Sequence, residues 1–210
     1  MTEQLPYDVV GHLTDGVELR RYPEHAVAEV TIRGSLTGAG NLAFAPLFAY
    51  ISGDNRSRSK VAMTAPVVQE RARRGRGGGE RVAMTAPVVQ EEEEQQEALA
   101  RSTDEGVGEA QERSFTVGFV LPSGLTAATA PEPADERVSL RAVPPALAAA
   151  IRYSGRWSGS AFEEHRDRLL EAVGRAGLEP VGVPRWLRYD PPFKPWFLRR
   201  NEVVVDVSEP

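Results

Sequence analysis

A short pattern recurs at a fixed distance along this chain, and it limits the fold more than any other feature. The segments VELRRYPEHAVAEVTIRG (17–34) and VSLRAVPPALAAAIRYSG (138–155) share V-x-L-R-x-x-P and a closing glycine at a constant offset of 121 residues. Each reads as strand, Pro-containing turn, strand; Val27, Glu29 and Thr31 alternate with Ala28, Val30 and Ile32, the period of a half-buried strand. A helix-like segment follows each repeat, at 41–52 and at 158–176. Strands follow again, at 60–69 and 82–90 in the first half and at 186–190 and 201–207 in the second. Two β-β-α-β-β halves predict one pseudo-symmetric α+β domain, with two helices against a curved sheet or open barrel. Its halves are about 5–90 and 113–207, joined by residues 91–112.

A second repeat is exact. VAMTAPVVQE stands at 61–70 and again at 82–91. The word holds no nucleophile, metal ligand or carboxylate pair within its strand-like part, so it reads as architecture. Val61, Met63, Ala65 and Val67 would point to one face of a strand, and Ala62, Thr64 and Val68 to the other. Pro66 and Pro87 remove ladder donors and mark an edge or a bulge. RARRGRGGGE (71–80), between the two copies, reads as a long hairpin loop; as an RNA-binding run it lacks interleaved aromatics. The acidic stretch 91–112 is poor in bulky apolar residues and reads as a mobile linker.

Composition narrows the class of protein. A net charge of −5 offers no basic field for nucleic acid or anionic membrane. Cysteine is absent, which removes disulfides and thiolate chemistry and fits a reducing compartment. The first residues lack a signal-peptide pattern, and the longest apolar runs, about ten residues with proline, are too short to span a bilayer. The expectation is a cytoplasmic protein without nucleic-acid or membrane partners. Oligomeric state is open, with a monomer slightly favoured.

The constant offset also allows the halves to be compared. The second helix is amphipathic: Phe162, Leu169, Leu170 and Val173 can face the sheet. Its counterpart LAFAPLFAYI (42–51) carries no charge and is apolar nearly all round. Phe44, Leu47, Phe48 and Ile51 follow i, i+3, i+4, i+7 and form one stripe, and such a helix needs a covering. Pro46 should kink or restart it. YDPPFKPWFLRRNE (189–202) supplies a second wall, a proline-stiffened loop carrying Phe193, Trp196 and Phe197 beside Lys194, Arg199 and Arg200. Apolar walls rimmed with cations suit a flat apolar ligand bearing carboxylates.

AMTAPV, the preceding ISGDNRS, and YDPP-x-KP followed by RRNEV closely resemble the SOUL/haem-binding protein family over roughly residues 5–207. The resemblance implies a distorted antiparallel β-barrel flanked by two helices, similar to gyrase-inhibitor-like effector-binding domains. It also implies reversible binding of haem or another tetrapyrrole, with the porphyrin against the first helix and the loop before the last strand. Phe44, Leu47, Phe48 and Ile51 fall on the helix side of that site, Phe193 and Lys194 on the loop, with Lys194 at the propionate-associated position. In some members a histidine follows the arginine of the strand motif; here that position is Arg21, which by this correspondence is counted among the cofactor-binding residues, and no histidine ligand to iron is implied. His12, His25 and His165 do not match the position.

No catalytic pattern is present. GRWSGS (155–160) lacks the spacing of a nucleophile elbow, and RGRGGGE precedes a strand rather than a helix. Glu202, beside the expected cleft, is the best single candidate, a carboxylate whose pKa burial would raise. The sequence therefore predicts a tetrapyrrole carrier or buffer without a reaction of its own. Its alternative is a small-molecule sensor or hydrolase using Glu202.

Overall fold

The computed structural model describes residues 3–71, 113–191 and 193–208. The second copy of the ten-letter word, residues 72–80 and the acidic segment lie outside the described residues. The first part of the chain gives β1 (Glu3–Gln4), β2 (Asp8–His12), β3 (Val17–Tyr22), β4 (His25–Gly34), α1 (Leu36–Ile51), β5 (Thr64–Ala65) and β6 (Val67–Arg71). The rest gives β7 (Arg113–Val120), β8 (Ser139–Val143), β9 (Ala146–Ser154), α2 (Gly159–Arg175), β10 (Glu179–Arg188) and β11 (Arg200–Ser208).

Nine strands form one antiparallel sheet in the order β2-β3-β9-β11-β10-β6-β7-β4-β8, while β1 and β5 pair in parallel as a separate ribbon. The sheet is open, so the expectation of a barrel is corrected. Closure would require β2 to pair with β8. β2 is short, mostly exposed and shifts register between Val9 and Gly11, and irregularities of this kind end pairing at sheet edges. β8 runs into Pro144, which has no N–H to give.

Both helices lie on one face. Alternation in β4 turns Ala26, Ala28 and Val30 toward α1, where Phe115, Val117 and Phe119 of β7 join Ala39, Ala43 and Leu47 in a core. Val203, Val205 and Val207 of β11, with Ile151 and Trp186, form the corresponding floor under Phe162, Leu169 and Val173 of α2. Leu36, the first residue of α1, packs against both cores. The opposite face carries a smaller cluster built on Leu187, Val204, Ala148 and Ala150.

The first copy of the repeated word departs from the expected single strand. Pro66, preceded by a cis peptide, divides it: Thr64–Ala65 pairs with β1, and Val67–Arg71 enters the centre of the sheet between β10 and β7. Met63 is exposed while Val61, Thr64 and Ala65 are all buried, so the simple alternation fails at the break. Pro66 marks a junction between two sheets rather than an edge. β7, the SFTVGFV segment, was not foreseen as a strand, yet it pairs along its whole length with β4 and over Phe115–Phe119 with β6.

Candidate functional site

α1 starts at Ser35, whose Oγ accepts the Gly38 N–H at 3.1 Å, and runs through Pro46 as one element. Its buried residues are Ala39, Ala43, Pro46, Leu47, Tyr50 and Ile51. The expected stripe therefore splits: Leu47 and Ile51 belong to the core, whereas Phe44 and Phe48 are each 45% exposed. Their rings stack on one another, centroids 5.4 Å apart, and Phe44 meets the buried Phe119 edge-on at 5.8 Å. Leu42 is exposed beside them. A helix with no charged residue thus presents an aromatic pair to the outside.

The loop before β11 is stapled from within. Asp190 accepts Lys194 Nζ at 2.7 Å through one oxygen and the Arg200 N–H at 2.6 Å through the other. Lys194, expected at a ligand, is here held by its own loop. Phe193 is 87% exposed, and Trp196, Phe197 and Leu198 are exposed too. Arg156 lies over Trp196 and Arg199 over Trp157, with guanidinium-to-centroid distances of 5.1 and 4.6 Å.

Arg21, the position where a histidine ligand was sought, is exposed on β3. The consequential residue is its neighbour Arg20, the arginine of V-x-L-R itself. Arg20 is buried, and its Nη1 donates to Glu202 Oε2 at 2.7 Å and to the Tyr22 hydroxyl at 3.1 Å. Glu202, 0% exposed, also accepts from Tyr189 at 2.9 Å and from Arg200 Nη2 at 2.7 Å. Burial alone would raise the Glu202 carboxyl, but the Arg20 hydrogen bond and the charges of Arg20 and Arg200 hold it below its ordinary value. That is opposite to the raised value a general acid or base at this position would need. Burial and the neighbouring Glu202 charge push the Tyr189 hydroxyl upward.

The histidines lie apart. His12 is exposed on β2, and His25 shares a hydrogen bond with Pro23 O at 3.0 Å. His165 of α2 stacks on Tyr153 at 3.9 Å and bonds Ala161 O at 2.7 Å through Nδ1. A cleft of about 530 Å³ opens elsewhere, between the chain entering β2, the β3–β4 turn and residues 120–127. Neither α1 nor the 189–200 loop lines it.

A second polar group was not foreseen. Arg188 of β10 is only 7% exposed and turns toward the helices, where Nη2 donates to Gln69 Oε1 at 2.7 Å. Its guanidinium lies 5.2 Å from the Trp157 ring centre and 5.1 Å from that of Trp186. Among the described residues it makes no ion pair, and burial lowers it to about 10, leaving it charged at neutral pH. Among the described residues, Trp157 Nε1, Trp186 Nε1, Tyr153 Oη and Asn201 Oδ1 are buried with no partner within hydrogen-bond distance, although Trp186 Nε1 is directed at Tyr153 Oη. Three of those four atoms can donate.

These features sit on a chain that belongs to the SOUL heme-binding protein family, whose profile matches residues 2–206. No curated protein matches it. The fold is similar to that of the EcmrR C-terminal domain, at 12% identity and a TM-score of 0.58 over 97% of this chain and 99% of that one. It is also similar to an uncharacterized conserved protein from Listeria innocua, at 13% identity and 0.55 over 90% and 91% of the two chains. A hydrolase from the same organism aligns at 10% identity and 0.51 over 99% and 94%. At these identities the likeness concerns the fold alone. Among the described residues no helix is long and apolar enough to cross a membrane.

Proposed function

We propose that this protein is a cytoplasmic carrier or buffer for haem or another tetrapyrrole and catalyses no reaction. The ring would lie on the outward face of α1, on Phe44 and Phe48, with the 193–198 loop as its second wall. The observation that carries this reading is the stacked, half-exposed Phe44–Phe48 pair on a helix without charge. An exposed aromatic pair of this kind has little structural reason on a soluble surface, and it matches the flat apolar face of a porphyrin. Leu47 and Ile51 would support the helix from below rather than touch the ligand. Phe193 would face the ligand from the loop, and Lys194, though drawn to Asp190, would remain at the rim. Arg21 would not take part.

Burying about 400 Å² of porphyrin at ~25 cal/mol per Å² gives roughly 10 kcal/mol before the costs of association. That suits reversible binding. The alternative, a sensor or hydrolase acting through Glu202, is disfavoured by the two arginines and the tyrosine that already engage the carboxylate. The internal repeat supports an assignment of halves as β3-β4-α1-β6-β7 and β8-β9-α2-β10-β11. Exchanging the corresponding strands of these halves reverses the order of the central eight strands of the sheet onto itself.

Phe48→Asp tests the site. The charge should weaken porphyrin binding, followed through the Soret band, by more than about tenfold, or ~1.4 kcal/mol. The circular dichroism spectrum should not change. Equal affinities in a folded variant would place the ring elsewhere, and the cleft beside His25 would be examined next.

A further inference from the structure

A buried cation without a counter-ion is unusual, and its surroundings make it more so. Arg188 reaches α1 at Gly40, where an added Cβ would lie 1.8 Å from Nη2. Gly40 is in the N-terminal part of α1, which has no acidic residue in its first turn. Gly159, the first residue of α2, lies against Leu36, the first residue of α1, and the first turn of α2 is likewise without an acid. Two helix N-termini, each with a partial positive charge, therefore approach one another beside a guanidinium. Trp157, just before the α2 cap, and Trp186 flank that guanidinium; among the described residues the Trp157 N–H has no acceptor within hydrogen-bond distance, while that of Trp186 is directed at the Tyr153 hydroxyl. Tyr153 adds a hydroxyl that faces the Trp186 N–H and whose own proton has no acceptor within hydrogen-bond distance among the described residues.

Polar groups buried in this way cost stability unless something satisfies them. Against the guanidinium the described residues set only the neutral Gln69 oxygen and no carboxylate, and most of the nearby polar atoms left without a close partner can donate, so an anion is the matching partner. A guanidinium suits a carboxylate in particular, because its parallel N–H groups meet both oxygens. Position indicates the source of that carboxylate. Gly40, Phe44 and Phe48 succeed one another at i, i+4 and i+8, so Arg188 touches the helix about 6 Å along the axis from the first exposed phenylalanine. A ring lying on the phenylalanines would bring an acidic arm on its edge to that end of the row.

We infer that Arg188, with the indole N–H groups of Trp157 and Trp186 and the Tyr153 hydroxyl, forms a socket for one carboxylate arm of the bound tetrapyrrole. The inference rests on the tetrapyrrole reading and extends it. It assigns anchoring of one acidic arm to a buried arginine on β10, separate from the exposed lysine of the loop.

The test compares mesoporphyrin IX with its dimethyl ester, which keeps the ring and loses both charges. Titrations followed by porphyrin absorbance and by tryptophan fluorescence would use the full chain. Wild type should bind the free acid at least about tenfold more tightly than the ester, the scale of one charge-assisted contact. Arg188→Met should bring the acid to within a few-fold of the ester, the remainder being the exposed Lys194 contact, and leave the ester unaffected. Its melting temperature should not fall, because methionine replaces a buried charge that lacks an ionic partner. Arg188→Lys, which keeps the charge without the fork, should retain part of the preference and serves if the methionine variant does not fold. Equal binding of acid and ester by wild type would overturn the socket and leave ring binding intact. A preference that survives in both variants would overturn the assignment to Arg188. No binding of either porphyrin would overturn the tetrapyrrole reading and the socket with it.

Discussion

Arg20 and Glu202 show how one residue's neighbours decide what its chemistry can be. Taken alone, a carboxylate near a cleft suggests an acid or a base. In the fold, Glu202 lies between two guanidiniums and beneath Tyr189, and its oxygens are fully used. Removing its charge would leave the buried Arg20 with only the partly exposed Glu18, 2.7 Å away, as a counter-ion, so Glu202→Gln should cost about 3 kcal/mol in urea denaturation at neutral pH. The pH dependence follows from the direction of the shift. A carboxylate held below its ordinary 4.5 contributes stability above that value and loses it as pH falls through the lower, folded-state value. Wild type should therefore lose stability below about pH 4.5 more steeply than the glutamine variant. Parallel pH profiles would show that the pair contributes little. The sequence held half of this network in view, since Arg20 is the conserved letter shared by both repeats, at 20 and 141. Arg141 also pairs with a glutamate, Glu29, at 2.8 Å. Which carboxylate each arginine would meet depended on strand order, which no local pattern carries.

At the level of the element, α1 was legible as a helix but not in its orientation. An amphipathic helix announces its buried side through its charges, as α2 did with Phe162, Leu169 and Val173. α1 has none, so several stripes of apolar residues fit equally well, and the choice between them was made by the sheet. The buried line runs Ala39, Ala43, Leu47, Tyr50, which leaves Phe44 and Phe48 to one side. Small residues at 39 and 43 let the helix approach β4 and β7 closely, while larger ones lie toward its C-terminus. Leu47→Ala should accordingly cost about 2–5 kcal/mol of stability, seen in thermal melting. At a temperature where the variant stays folded, its porphyrin affinity should match wild type. A variant that lost affinity while keeping its stability would exchange the roles of the two faces. The loop after α1 is anchored by a residue that sequence reading passed over. Asn55, within the ISGDNRS motif, is buried and donates to Tyr50 O at 3.1 Å and Ser59 O at 2.6 Å.

For the molecule as a whole, the internal repeat gave the element types, and the pairing had to come from the structure. The strands of each repeat do not pair with each other: β3 joins β9, and β4 joins β8. SFTVGFV escaped notice because it follows the acidic segment, far in sequence from the β4 and β6 strands it joins. The same arrangement bears on iron. The three histidines stand on β2, at the start of β4 and in α2, and none is on α1 or in the 189–200 loop. If α1 and the loop hold the ring, apolar contact and the acidic arms supply the affinity, and protoporphyrin without iron should bind within about tenfold of haem, or ~1.4 kcal/mol. His12→Ala, His25→Ala and His165→Ala should each leave the Soret position of bound haem unchanged. Lys194→Ala should cost only about 0.5–1 kcal/mol, since an exposed ion pair contributes little. The loss should shrink further at high salt as screening takes over. A strong preference for haem together with a spectral shift in one histidine variant would locate the iron beside that residue. Such a result would place the ring against that histidine's element rather than on Phe44 and Phe48.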